Sequence, residues 1–118
     1  MRFKRAYRVG GQVQKELSDL LLKDIMDPRL DSVTIIRVNM TDDLRSARIY
    51  FSVADGEKRK AGAIAGFKSA SRYLRRKLSR RLELKYMPEL QFVYDEAFER
   101  AARIDTVLKS MGHGNGKG

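Results

Sequence analysis

The spacing of apolar residues along this chain changes from the period of a helix to that of a strand, and then back. An apolar residue recurs every three or four positions from Val9 to Ile25, which predicts one amphipathic helix over about 5–26. Two stretches that alternate apolar and polar residues follow at 36–40 and 46–53, and they predict half-buried strands. The polar connection between them has hairpin length, so we expect an antiparallel pair.

The second half of the chain returns to the helical period and then alternates once more. Helices are expected over about 57–68 and 69–84, a third strand over 89–94 after Pro88, and a last helix around Phe98 to Leu108. The predicted order is α-β-β-α-α-β-α, an α+β fold in which helices cover one face of a three-stranded sheet. At 118 residues the chain fits a single domain, expected over 1–110 and followed by a flexible, Gly-rich tail over 111–118. We expect a monomer, because every apolar stripe is assigned to this core.

The charge of the chain is concentrated in one segment. Residues 58–85 contain eleven basic residues and a single acid, Glu83, a net charge of +10, whereas the basic and acidic residues of the rest balance. A charge that served only solubility would be scattered. A localised basic segment of this kind is typical of proteins that bind a polyanion, either nucleic acid or an anionic membrane.

Composition excludes several classes of site and of protein. The absence of cysteine excludes a disulfide scaffold and thiolate chemistry, and the single histidine, His113, argues against a triad or a multi-histidine metal centre. We therefore predict no catalytic residue, metal, cofactor or small-molecule substrate. The longest apolar run is too short to span a membrane, and no apolar segment follows the basic N-terminus as in a secretory signal. The cytoplasm is expected, with a transit peptide as the alternative, since the first acid is Glu16.

The basic residues of 68–85 are the first candidates for contact with RNA phosphates. In the helix predicted over 69–84, an apolar stripe from Ala70 to Leu82 leaves most arginines pointing away from the core, although Arg81 falls near the stripe. The candidate contacts in this segment are Lys68, Arg72, Arg75, Arg76, Lys77, Arg80, Arg81 and Lys85. Arg5 and Arg8 form a second candidate group, for which a solubilising terminus is an equal alternative. Tyr7 and Tyr73 could stack on bases, but their spacing favours a place at the edge of the core.

Short motifs in a defined order resemble those of a known family. The motifs are Asp27-Pro28-Arg29, Val33-Thr34, Asp43-Leu44 with Ala47 and Tyr50, Ala70-Ser71 with Arg75, Leu78 and Arg81-Leu82, and Pro88-Glu89-Leu90 with Phe92 and Asp95. Each motif is unspecific alone, but their order and spacing over about 5–108 are similar to those of the ribosome-binding factor A family.

The resemblance implies a type II KH-like RNA-binding domain, which agrees with the order of the predicted elements. It also implies a non-catalytic factor that binds the free or immature 30S ribosomal subunit and its 16S rRNA. The family assists late 30S maturation and processing of the 16S rRNA 5′ end, and it matters for growth in the cold. The alternative from charge alone is a general nucleic-acid-binding protein for DNA or RNA.

One position departs from the family pattern. KH domains usually carry Gly-x-x-Gly between the two core helices, and the family replaces it with an Ala-x-Gly kink. Here the kink sequence is Ala70-Ser71-Arg72, with arginine where glycine is usual. A bulky residue is poorly suited to a left-handed backbone position. Either the junction between the helices is smoother in this chain, or the kink lies earlier, near Gly66.

Overall fold

The computed structural model describes residues 2–115, with side chains described for residues 4–111, and contains three long helices around one sheet. The elements are α1 Arg2–Lys23, a 3-10 turn Pro28–Leu30, β1 Val33–Met40, β2 Ser46–Val53, α2 Gly56–Arg81, β3 Glu89–Tyr94 and α3 Glu96–Asn115. The α+β class, the three strands and their order with the helices are as predicted from the sequence. The two central helices are joined end to end as α2.

Helix α1 forms because its apolar stripe has a place in the core. Val13, Leu17 and Leu20 are fully buried. The helix ends three residues before the expected position, because the N–H groups of Asp24 and Ile25 both bond to the carbonyl of Leu20 and close the last turn. The chain then enters the 3-10 turn, in which the N–H of Arg29 donates a hydrogen bond to the Asp27 side chain.

The sheet has the order β1-β2-β3, with β1 and β2 antiparallel and β2 and β3 parallel. The antiparallel pair is as predicted, but β1 begins at Val33 rather than at 36. A bulge at Ile36 explains the difference: Ile35 pairs with Phe51 and Arg37 with Tyr50, so Ile36 has no partner of its own. The alternation therefore shifts by one residue, and Ile35 is buried on the core face instead of standing on the polar one.

Helix α2 runs unbroken through Ala70-Ser71-Arg72, which is the smoother of the two junctions considered from the sequence. Among the described residues, the non-glycine residues with left-handed backbone are Leu44, Asp55 and Glu83, and none of them lies in this junction. Arg72 can therefore occupy the position of the usual glycine without strain. The helix ends at Arg81, three residues earlier than expected, in a closing turn centred on Glu83 at φ 52°.

The core lies between the sheet and helices α1 and α2, which cover one face. Ala47, Ile49 and Phe51 of β2 point into it, whereas Arg48 between them is exposed on the opposite face. The ring of Phe67 stacks on Phe92 at 4.0 Å and meets Phe51 edge-on at 4.9 Å, which ties α2 to β2 and β3. The opposite face of the sheet is left open by α1 and α2.

Helix α3 differs from the expectation in two respects. It continues to Asn115, so the first residues of the predicted tail over 111–118 are helical, since each residue added to an existing helix gains a hydrogen bond. Residues 116–118 lie outside the described part of the chain. The helix also leaves Ile104, Val107, Leu108 and Met111 more than half exposed, because it projects beyond the sheet. The apolar stripe of α3 is therefore not used by this core as expected, and the monomeric state stays a prediction.

Candidate nucleic-acid interface

The outer ridge of α2 carries four exposed cations from the predicted set. Leu74 and Leu78 are fully buried and define the inner face of the helix. At 100° per residue the opposite face holds Lys68, Arg72, Arg76 and Arg80, and all four are exposed. None of them makes a side-chain hydrogen bond or ion pair with another residue in the described part of the chain. This set, the α2 ridge, presents uncompensated positive charge to an incoming ligand.

Arg75, also predicted as an RNA contact, is engaged within the fold. Its Nε donates a hydrogen bond to the Pro88 carbonyl oxygen at 2.8 Å, and its Nη2 lies 3.0 Å from a carboxylate oxygen of Glu89. Only 27% of its side chain is exposed. Arg75 therefore holds α2 to the start of β3, which reduces its availability to a phosphate.

Arg81 likewise joins two elements of the fold. Its Nη1 lies 3.0 Å from Asp19 and 3.6 Å from Glu16, both on α1. Hydrogen bonding to Asp19 raises the pKa of Arg81, and hydrogen bonds from Arg81 and then Lys23 lower the pKa of Asp19. Two of the cations predicted from the sequence are thus neutralised by the protein itself.

Lys77 and Lys85 lie beside aromatic rings. The Nζ atom of Lys77 is 5.6 Å from the centre of the Tyr73 ring, and that of Lys85 is 5.6 Å from the Tyr86 ring. The Tyr73 hydroxyl donates a hydrogen bond to Asp24 at 2.9 Å, so this ring is held at the boundary between α1 and α2, as its spacing suggested. Both lysines keep their charge at the edge of the ridge, because an aromatic ring does not neutralise a cation.

The structure places Arg5 and Arg8 on the same flank of α1 as Asp19. The contacts Tyr73–Asp24 and Arg81–Asp19 show that α1 and α2 run antiparallel, so the N-terminal part of α1 extends past the end of α2. Arg8 lies about 16 Å further along α1 than Asp19. Both arginines are exposed, and they lie beyond the ion pair of Arg81 with Asp19. Tyr7 is 82% exposed, which excludes the core position favoured by its spacing.

The open face of the sheet carries cations that sequence reasoning did not single out. The guanidinium of Arg37 lies 3.9 Å above the Tyr50 ring, and Arg48 is exposed on the same face. The signal that could have found Arg37 and Tyr50 is the alternation of β1 and β2, which assigns both to the polar face. Their pairing across the strands depends on the bulge at Ile36, which the alternation alone does not reveal.

Within residues 2–115, no helix is both long and apolar enough to cross a membrane. Among the side chains described, over 4–111, no group of three or more histidine, aspartate or glutamate residues is arranged to hold a metal ion. The His113 side chain lies outside the described residues. The exposed guanidinium and ammonium groups of the α2 ridge are of the kind that bind anions.

Comparison with known proteins gives concordant results. The family model described as ribosome-binding factor A matches residues 5–108. Ribosome-binding factor A of Desulfatibacillum aliphaticivorans is 43% identical over 108 residues, which cover 92% of this chain and 88% of the relative. The protein of the same description from Caldicellulosiruptor bescii is 40% identical over 114 residues, with 94% and 86% covered. The crystal structure of ribosome-binding factor A from Thermus thermophilus is similar with a TM-score of 0.66 at 25% identity, over 75% of this chain and 94% of that one.

Proposed function

Because this chain belongs to the ribosome-binding factor A family, we propose that it is a non-catalytic ribosome assembly factor that binds the free or immature 30S subunit through its 16S rRNA. The cytoplasm is the compartment in which it would act. The observation that carries the proposal is the α2 ridge, where four cations stand in a row without an acidic partner among the described residues. A row of exposed guanidinium groups on a rigid helix suits the phosphates of folded RNA.

Binding would act by selecting one arrangement of the rRNA. A protein without catalytic groups changes a population by binding one state more tightly than another. We propose that the state favoured is a late intermediate in which the 16S rRNA 5′ end is accessible for processing. Growth in the cold would then depend on the factor, because RNA helices that have paired incorrectly open more slowly at low temperature.

The direct test is sedimentation of the protein with small subunits, large subunits and assembled ribosomes, at low and near-physiological salt. We expect retention on small subunits alone at the higher salt. Substitution of Arg72, Arg76 and Arg80 with glutamine should abolish it, whereas the control triple variant at Arg100, Arg103 and Lys109 on α3 removes the same charge and should bind normally. Equal binding to all particles, lost together as salt rises, would instead support the general nucleic-acid-binding alternative.

A second test measures the role in maturation. In a strain that lacks the gene, precursors of 16S rRNA with an unprocessed 5′ end should accumulate in the cold. The wild-type gene should restore processing, and the α2-ridge triple variant should not. Full restoration by the triple variant would show that the ridge does not mediate this role.

A further inference from the structure

The open face of the sheet presents two adjacent rows of polar side chains. In the first row Asn39 pairs with Arg48, and Arg48 with Gln91. In the second row Arg37 pairs with Tyr50. Adjacent rows on one face are separated by two residues along each strand, or about 7 Å. That spacing places the guanidinium of Arg48 within reach of a ligand that contacts the second row.

The Arg37–Tyr50 pair forms a flat platform. The guanidinium lies 3.9 Å from the ring centre, and Nη1 of Arg37 is held 3.4 Å from the Asp95 carboxylate. Asp95 is itself fixed, because its other oxygen accepts a hydrogen bond from the N–H of Phe98 at 2.9 Å and its side chain is only 10% exposed. Arg37 remains 53% exposed, so the outer plane of the guanidinium is open.

Two exposed arginines, Arg37 and Arg48, stand around the platform. Hydrogen bonding from Arg48, and then from Arg37, lowers the pKa of the Tyr50 hydroxyl. The acid in contact with the platform is Asp95, which pairs with Arg37, and Glu89 at the start of β3 pairs with Arg75.

We propose that this open face binds an unpaired nucleotide of RNA, whose base stacks on the Arg37 guanidinium while a neighbouring phosphate meets Arg48. The side-chain amides of Asn39 and Gln91 flank Arg48 and can hydrogen-bond the base edge or the ribose. Stacking of unpaired bases on aromatic rings and guanidinium planes is a common way in which proteins hold single-stranded RNA. The inference rests on the proposed function in that RNA is the partner, but it assigns a second contact, on the side of the sheet opposite α2.

A nucleotide fits this surface better than an acidic peptide does. In the second row, the planar guanidinium of Arg37 lies over the Tyr50 ring. The next residue of this row is Val93, whose side chain is too small to anchor a peptide by apolar burial. A peptide carboxylate would use the charges but leave the stacking plane unused. The base is therefore the group that accounts for the arrangement of Arg37 over Tyr50.

The test compares two probes of equal length and charge by fluorescence anisotropy: single-stranded oligoadenylate of roughly 12 nucleotides and the matching abasic ribose-phosphate oligomer. We expect the full-length wild-type chain to bind oligoadenylate about tenfold more tightly. Arg37→Lys keeps the charge but removes the planar group, and it should abolish the preference while binding to the abasic oligomer is unchanged. Arg76→Lys is the matched control on the α2 ridge and should keep the preference.

The outcomes separate this inference from the proposed function. The proposed nucleotide contact is overturned if the wild-type chain does not prefer oligoadenylate to the abasic oligomer. It is also overturned if Arg37→Lys retains that preference. If Arg37→Lys binds 30S subunits more weakly but no preference between the oligomers exists, the open face of the sheet contacts protein. That result also overturns the proposed nucleotide contact. If small-subunit binding fails but the base preference depends on Arg37, the inference stands and the proposed function does not.

Discussion

The guanidinium of Arg81, the last residue of α2, lies 3.0 Å from the carboxylate of Asp19 on α1. This contact turns one of the predicted RNA-binding cations into a link between two helices. It shows why a count of basic residues overstates the binding surface. A guanidinium beside a carboxylate of the same chain has part of its field cancelled, whereas the α2 ridge keeps its field intact.

The first prediction is that Arg81 contributes to the stability of the fold, whereas Arg76 contributes to RNA binding. Arg81→Gln should lower the free energy of unfolding by up to about 1 kcal/mol, because it removes a partly exposed ion pair, and should leave the salt dependence of RNA binding nearly unchanged. Arg76→Gln should leave stability unchanged but reduce the slope of log K against log salt by about 0.7 to 0.9 per phosphate lost. Urea unfolding and titration of 16S rRNA at several salt concentrations measure the two quantities.

A different result for Arg81→Gln would place Arg81 in the RNA-binding surface. If Arg81→Gln reduced the salt slope as much as Arg76→Gln, then the contact with Asp19 opens on binding and Arg81 belongs to the interface. Arg103→Gln on α3 is the control, since it also removes one ion-paired arginine, with Glu99 as partner.

The second prediction is that part of the protein's stability is lost at low pH because the Asp19 carboxylate becomes protonated. Hydrogen bonding to Arg81 lowers the pKa of Asp19 below its ordinary value of 3.8 in the folded state. The contribution of the charged carboxylate to stability is therefore fully present above that value and is lost as pH falls through the lower, folded-state pKa. Asp19→Asn should be less stable than wild type near neutral pH, and the difference should shrink as pH falls below 3.8. Urea unfolding near neutral pH and below pH 3.8 measures the difference, and a constant gap would contradict the prediction.

The fold was largely predictable from the sequence because its elements have clear periods. Val13 and Leu17 mark the buried face of α1, and Ile49 and Phe51 that of β2, without any tertiary information. The bulge at Ile36 was not predictable in this way, since both Ile35 and Ile36 are apolar and either could face the core. The continuity of α2 depended on whether Arg72 adopts helical or left-handed backbone, which the sequence left open.

The sequence predicted where the candidate site lies, but not which of its basic residues are free to contact a ligand. The charge imbalance of residues 58–85 located the surface on α2. Helical spacing could not reveal that Arg75 reaches the Pro88 carbonyl or that Arg81 meets Asp19, because both partners lie on other elements. The use of these cations by RNA stays a prediction until binding is measured.

The third prediction concerns the end of α2. Glu83 has a left-handed backbone at φ 52°, its N–H bonds to Arg80, and the next N–H bonds to Ser79, the pattern of a helix end that favours glycine. Glu83→Gly should raise the free energy of unfolding by about 0.5 to 1 kcal/mol, because it relieves the side-chain clash of this conformation. Glu83→Ala removes the same charge but keeps the clash, and thermal unfolding should show no gain. Equal stabilisation by both would assign the effect to charge.

The last prediction uses two adjacent glycines of α1 that differ in their surroundings. A methyl group on Gly10 would lie 2.7 Å from the carbonyl oxygen of Val38, so α1 could not keep its close approach to β1, whereas a methyl on Gly11 would meet nothing within 4 Å. Gly11→Ala should therefore stabilise the protein by up to about 1 kcal/mol through helix propensity alone. Gly10→Ala has the same gain in propensity but forces a shift of backbone, which typically costs about 1 to 3 kcal/mol, so we expect net destabilisation. Urea unfolding of the two variants provides an internal control, because each adds one methyl group to the same helix. Stabilisation by both substitutions would show that α1 can move away from Val38 at little cost, and the contact would then not fix the position of Arg5 and Arg8 relative to the sheet.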